Sequence, residues 1–188
     1  MLITHHPFLL EAIVNVDKDD YMGQFIYNAI LNNVVVYSSH TTLDRVSMNK
    51  WLLEEIGVSD IQSGADGITH YASLNQSMSM QDFINHVRDV YKLEHFKYAG
   101  KVDEVKTVAI CGGSGADFLA DYYNKVDAYI TGDTKYRHAK NAVDHHILLI
   151  DVNHHIENIM ISKLKEVLEK EVNVEIIEGS SPDYYHYL

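Results

Sequence analysis

Three short polar clusters carry side chains able to hold metal ions: His5-His6 ahead of Pro7, His40 with Asp44, and the run Asp151 to Glu157, which contains His154. Imidazole and carboxylate together suit Zn²⁺, Mn²⁺, Fe²⁺, Co²⁺ or Ni²⁺ without separating them. A carboxylate that bridges two such ions, roughly 3.5–4 Å apart, sets up water as a nucleophile. The chemistry indicated is therefore hydrolytic, at a site with two ions. Spacing leaves open whether Asp44 or Glu157 bridges.

Each cluster also has a plainer reading. His5 and His6 cannot share one face of a regular strand, because side chains alternate. At a strand end before Pro7 both rings can turn toward one centre, or the pair is simply structural. His40 and Asp44 are four residues apart and share a face if the segment is helical. Otherwise Thr41 or Thr42 caps the next helix and Asp44 complements its dipole. His154 and Glu157 are three apart at a helix start, and Asp151 is placed to accept from an imidazole N–H. The plain alternative has Asn153 as N-cap and Glu157 as a first-turn acid.

Two other segments offer chemistry. Cys111-Gly112-Gly113-Ser114-Gly115 is either a tight turn or a set of N–H groups for an anion, and it lacks both the GxGxxG and GxxxxGK[ST] patterns. Residues 131–138 (Thr-Gly-Asp-Thr-Lys-Tyr-Arg-His) bring an acid, cations and a histidine to another strand end. That stretch is the best local candidate for holding an anionic substrate; its alternative is an ordinary capped helix. Cys111 reads as an inert core thiol, and no GxSxG elbow supports a serine triad.

The elements that must position these groups follow from hydrophobic periodicity. Strands are predicted at residues 2–4, 34–37, 68–74, 95–99, 105–110, 128–130, 147–150 and 174–177. Helices are predicted at 21–32, 46–56, 80–92, 116–123, 135–143 and 156–170. Ser79 stands three residues before Asp82 as an N-cap, and Val34-Val35-Val36 reads as a buried strand. Strands alternating with helices imply an α/β fold, with parallel or mixed sheets covered by helices on both faces. Ligands in such folds gather beyond the carboxyl ends of the strands, where the polar clusters fall.

The 188 residues can bury a sizeable core. Lys and Arg total 15 against 27 Asp and Glu, a formal charge of −12, which disfavours nucleic acid as partner. A single cysteine excludes an intrachain disulfide and a thiolate metal cluster. No apolar run reaches transmembrane length and no secretion signal is recognised, so no membrane partner and a cytoplasmic location are expected.

Five segments together resemble the Nif-three-like dinuclear metal-centre family, whose bacterial members are commonly named GTP cyclohydrolase type-two homologues. They are Ile3-Thr4-His5-His6-Pro7-Phe8, Ser39-His40-Thr41-Thr42-Leu43-Asp44, Ala109 to Gly115, Tyr129 to Tyr136, and Asp151-Val152-Asn153-His154 with Glu157. The resemblance implies that His5, His6, Asp44, His154 and Glu157 bind two divalent metal ions. It places His40 at the edge of the same pocket as the catalytic residue that moves a proton. It further implies two α/β lobes flanking the metal site, here residues 1–98 and 99–188, and a ring-shaped homohexamer.

The strand–helix–strand region usual ahead of the histidine pair is expected to be missing from this chain. Asn153 stands where the family commonly has Gly. Many members place the Glu four residues after the His, where this chain has Asn158. The function implied is that of a metal-dependent, GTP cyclohydrolase-like hydrolase acting on a phosphorylated or nucleotide small molecule. The alternatives are a phosphoesterase on nucleotides or small phosphates, and a non-enzymatic metal-binding scaffold or regulatory protein.

Overall fold

The computed structural model describes residues 1–186. The chain divides into two compact units, Met1–Leu43 and Asp44–Leu188.

In the first unit, β1 (Leu2–Thr4) and β2 (Val36–Ser38) pair in parallel, with Ile3 opposite Tyr37, and α1 (Tyr21–Leu31) provides the crossover. Parallel neighbours require such a long connection. Asp20 caps α1 by accepting from Gly23 N–H. A Cβ on Gly23 would stand 1.7 Å from the Asp17 carbonyl oxygen, so only glycine admits that close turn. Phe8 stacks on Phe25 with ring centroids 3.9 Å apart. The second strand is not buried as its β-branched run suggests: Val35 and Tyr37 are both more than half exposed. A sheet of two three-residue strands offers too little surface to enclose them.

The second unit opens with a π-helical turn, Asp44–Met48, and continues into α2 (Asn49–Glu55). Then come β3 (Ser59–Ser63), β4 (His70–Ser79), α3 (Met80–Val90), β5 (Lys97–Ala99) and β6 (Glu104–Cys111). A 3-10 stretch, Gly115–Tyr122, leads to β7 (Ala128–Thr131), α4 (Tyr136–Asp144) and β8 (Leu148–Asp151). A 3-10 turn, His154–Asn158, then feeds α5 (Ile159–Glu171). The six strands form one mixed sheet in the order β3-β4-β6-β7-β8-β5, in which β6, β7 and β8 are parallel.

Alternation along these central strands builds two cores. Val108, Ile110, Ala128, Ile130, Leu148 and Ile150 face one side, packed against Leu52 and Leu53 of α2 and Phe83, Ile84 and Val87 of α3. Ala109, Cys111, Tyr129 and Leu149 face the other, against Leu119, Tyr122 and Ala142. Helical segments thus cover both faces, as the α/β reading requires. Ser79 caps α3 through Asp82 N–H at 3.2 Å, as its spacing predicts.

Two expectations about strands of the second unit are corrected. Residues 59–63 lie outside the predicted strands, yet form an edge strand because β4 offers them an antiparallel partner. Residues 174–177 are not a strand: among the described residues no neighbour pairs with them, and Val174 and Ile177 are exposed.

Candidate metal centre

The parallel register of β6, β7 and β8 sets the site. Cys111 lies level with Thr131, and Thr131 with Asp151, so three loops leave the sheet together at its carboxyl edge. Ligand sites gather at such an edge. Each loop contains a left-handed residue: Gly113 at φ +57°, Asp133 at φ +52° and Asn153 at φ +57°. Gly132 N–H donates to the Gly113 carbonyl at 2.9 Å, tying the first loop to the second. Asn49, wholly buried on α2, accepts from Gly112 N–H at 2.8 Å and donates to the Ile68 carbonyl at 3.0 Å.

Into this frame project His154 and Glu157. The His154 ring lies with Nε2 3.1 Å from Glu157 Oε2 and Nδ1 2.6 Å from Asp133 Oδ2. Asp133 Oδ2 also accepts from the Ser114 hydroxyl at 2.7 Å. Glu157 is buried, and Asp44 offers a carboxylate oxygen within 4.8 Å of it. Burial pushes the Asp44 carboxyl up to about 7, helped by repulsion from Glu157 and only partly relieved by His154. The His154 imidazolium is held up at about 9, first by its hydrogen bond to Glu157, against burial, and then by Asp133.

Two close, half-dry carboxylates beside an imidazole form a donor set that a divalent cation satisfies better than protons do. The space fits the same reading. A Cβ on Gly113 would stand 2.0 Å from Glu157 Oε1 and 3.4 Å from His154 Cε1, so glycine keeps that side clear for the carboxylate.

In the first unit the backbone of β1 and β2 brings three imidazoles together. Ring centroids are separated by 4.8 Å for His5–His6, 5.1 Å for His5–His40 and 5.3 Å for His6–His40. One ring nitrogen of each lies within 4.8 Å of the others. Thr4 fixes the turn by donating to the His6 carbonyl at 2.9 Å and pairing with the Ser38 hydroxyl at 2.8 Å.

Other groups singled out from sequence fall elsewhere. Asp151 is not the acceptor for His154: it accepts from Thr134 and Asn153 and pairs with Lys97 at 3.1 Å. Asp133, the acid of the 131–138 stretch, takes that place. The left-handed turn that re-aims it leaves no trace in spacing, although a Gly-Asp pair after a buried strand is a hint of it. The anion-holding role of residues 131–138 is not realised locally, since Arg137 and His138 both turn to Asp117, at 2.7 and 3.2 Å. Asn158, four residues after His154, bonds to the His155 ring at 2.6 Å, leaving Glu157 as the acid beside His154. Cys111 is buried, and burial foremost pushes its thiol up to about 12, in keeping with an inert role.

Residues 1–183 match the Duf34/NIF3 (NGG1p interacting factor 3) family. The chain belongs to this family. Among its relatives, a GTP cyclohydrolase 1 type 2 homolog of Clostridium acetobutylicum is 31% identical over 166 residues, covering 82% of this chain and 62% of that protein. One of Clostridium perfringens is 30% identical over 205 residues, covering 100% of this chain and 78% of its own length. This Duf34/NIF3 chain thus spans less than two thirds of the first relative and more of the second. The fold is shared with Staphylococcus aureus protein SA1388 at a TM-score of 0.87 and 20% identity, covering 99% of this chain and 80% of that one. It is also shared with a Bacillus cereus protein related to NIF3, at 0.85 and 17%, covering 99% and 82%. Among the described residues, no helix is long and apolar enough to cross a membrane.

Proposed function

We propose that this chain holds two divalent metal ions through His5, His6, Asp44, His154 and Glu157, and serves a metal-dependent hydrolase acting on a nucleotide or another small phosphorylated molecule. One observation carries the reading: a buried Glu157, flanked by Asp44 and His154, lies where three loops leave parallel strands. Membership of a family whose relatives are named GTP cyclohydrolase 1 type 2 homologs supports the reaction class. Divalent ions bound there would supply Lewis acidity and lower the pKa of water.

The chain's own residues do the remaining work. His40, its ring close to those of His5 and His6, would carry a proton between water and a leaving group. Asp44 and Glu157 supply negative charge that selects a cation, and Gly113 keeps the Glu157 carboxylate unobstructed. The same reading extends to a ring-shaped homohexamer with the metal site flanked by two lobes, which sedimentation at several protein concentrations tests.

The deciding experiment is metal content per chain by elemental mass spectrometry, on protein purified without chelator, beside the His5→Ala/His154→Ala double variant. Two ions per chain, lost in the variant, are expected. Fewer than one after reconstitution with Mn²⁺, Zn²⁺ or Fe²⁺ sinks the proposal. With GTP as substrate, an altered purine spectrum marks cyclohydrolase action, and inorganic phosphate with the purine intact marks a phosphoesterase. Full metal with turnover no higher than His154→Ala leaves a metal-binding scaffold.

A further inference from the structure

We propose that Ser114 and Asp133 are positioning residues that hold the His154 ring with Nδ1–H toward Asp133 and Nε2 toward the ion-binding side of Glu157. This rests on His154 being a metal ligand, as proposed above. Asp133 Oδ2 receives two contacts, the Ser114 hydroxyl at 2.7 Å and His154 Nδ1 at 2.6 Å. An ionised carboxylate has no proton to give, so both partners donate, and the shared bond fixes which imidazole nitrogen carries hydrogen. Nε2 is then the nitrogen left with a lone pair once the ring is neutral, and it is the one 3.1 Å from Glu157 Oε2.

The backbone holds this arrangement from two sides. Asp133 adopts the left-handed conformation at φ +52°, which an Asp tolerates better than most residues. The adjoining Gly132 is locked to the Gly113 carbonyl, one residue before Ser114. A Cβ at position 132 would stand 2.8 Å from that carbonyl oxygen and 2.9 Å from the Asn153 carbonyl carbon, so the three loops pack closely at the residue before Asp133. Ser114, Asp133 and His154 are the residue types of a nucleophilic triad in another order. The acid stands between serine and histidine, so the serine proton goes to the acid and His154 does not activate the hydroxyl.

Zn²⁺ affinity, measured by chelator competition on the full chain, tests the assignment in wild type, His154→Ala, Asp133→Asn and Ser114→Ala. Asp133→Asn keeps a residue suited to a left-handed turn and removes the charge. It is expected to weaken Zn²⁺ binding about 10–100-fold, the range for partners of metal-bound histidines. Ser114→Ala, on an exposed residue, is expected to cost less in the same direction. Thermal midpoints of the metal-free proteins show that the variants are folded, and Ser114→Ala decides alone should Asp133→Asn fail to fold.

A second readout is the His154 ring signal in ¹⁵N-histidine-labelled, Zn²⁺-loaded protein. A downfield, slowly exchanging Nδ1–H is expected in wild type and is expected to move upfield in Asp133→Asn. If His154→Ala weakens binding while Asp133→Asn and Ser114→Ala leave affinity and ring signal unchanged, the positioning role is overturned and the metal reading stands. If His154→Ala itself leaves affinity unchanged, both fall together.

Discussion

The two units of this chain place histidines by opposite means. In Asp44–Leu188 the side chains that matter stand on loops leaving a six-stranded sheet, whose central residues Tyr129, Ile130, Leu148 and Ile150 are wholly buried. In Met1–Leu43 the described residues include only His5, Gly23 and Leu43 as buried, while Val14, Tyr21 and Ile30 are at least 70% exposed. There the backbone that leads into the histidines is paired in a two-stranded ladder and tied by the Thr4 hydroxyl. A deep sheet fixes a ligand through many packed neighbours, whereas a short ladder fixes it through a few hydrogen bonds that local opening releases.

Core truncation exposes the contrast most strongly. Ile130→Ala is expected to cost about 2–5 kcal/mol by leaving a cavity in a dry core. Ile30→Ala in the first unit, at 70% exposure, should stay within about 0.5 kcal/mol. Urea unfolding of both variants checks the pair, and equal losses would break the comparison. Native-state hydrogen exchange sharpens it: amides of β1 and β2 should exchange at lower opening free energy than those of β6, β7 and β8.

Within the second unit, glycines separate backbone strain from steric blockage. Gly57 and Gly113 both have positive φ, +78° and +57°. A Cβ on Gly57 meets nothing within 4 Å, while one on Gly113 meets Glu157 Oε1 at 2.0 Å. Each alanine variant should lose about 1–2 kcal/mol to the left-handed backbone. Only Gly113→Ala must also displace the Glu157 carboxylate, so it alone should lower metal affinity in equilibrium dialysis. Equal affinity in the two variants would remove Glu157 from the ligand set.

Acid should act on two buried hydrogen-bonded groups of the second unit at different pH. Burial foremost depresses the His70 imidazole below its ordinary 6.5, outweighing the hydrogen bond to the Ile68 carbonyl at 3.0 Å, which raises it; the other ring nitrogen pairs with the Ser63 hydroxyl at 3.2 Å. The stability from keeping this ring neutral is complete above pH 6.5 and is lost as pH falls from there toward the folded-state value, because the unfolded chain takes up the proton first. Burial alone would raise Asp66, but N–H groups of Ile68 and Thr69 and the Tyr122 hydroxyl outweigh it and hold the carboxyl below 3.8. Its contribution is present above 3.8 and fails only at lower pH. Below pH 6.5 the thermal midpoint of wild type should therefore fall relative to that of His70→Gln, a difference that also removes the opposing gain shared by both proteins as the raised Asp44 carboxyl takes up its proton below about 7.

The central sheet was legible in sequence because its strands are continuous apolar runs closed by polar residues, as at Ala128-Tyr129-Ile130-Thr131. The metal-ligand candidates were legible for the same reason: they follow those runs directly. What stayed hidden depends on contacts far along the chain. The edge strand Ser59–Ser63 is polar and takes its structure from β4, while Val174 to Ile177 has strand composition and no strand partner among the described residues. The role of Asp133 was hidden because it requires the β7 loop to meet the β6 and β8 loops, which alternation alone does not report.

The smallest expected effect concerns Asn153, where φ +57° and ψ 169° define a conformation nearly restricted to glycine. The side chain offsets part of that strain by accepting from His155 N–H at 3.2 Å, capping the turn that carries His154 and Glu157. Replacement by glycine removes the strain and the cap together, so Asn153→Gly should change stability by less than about 1 kcal/mol. Asn153→Ala removes the cap and keeps the strain, and should cost about 1–2 kcal/mol. If the two variants unfold at the same urea concentration, the cap rather than the backbone governs this turn, and the His154 loop is held as lightly as the histidine ladder of the first unit.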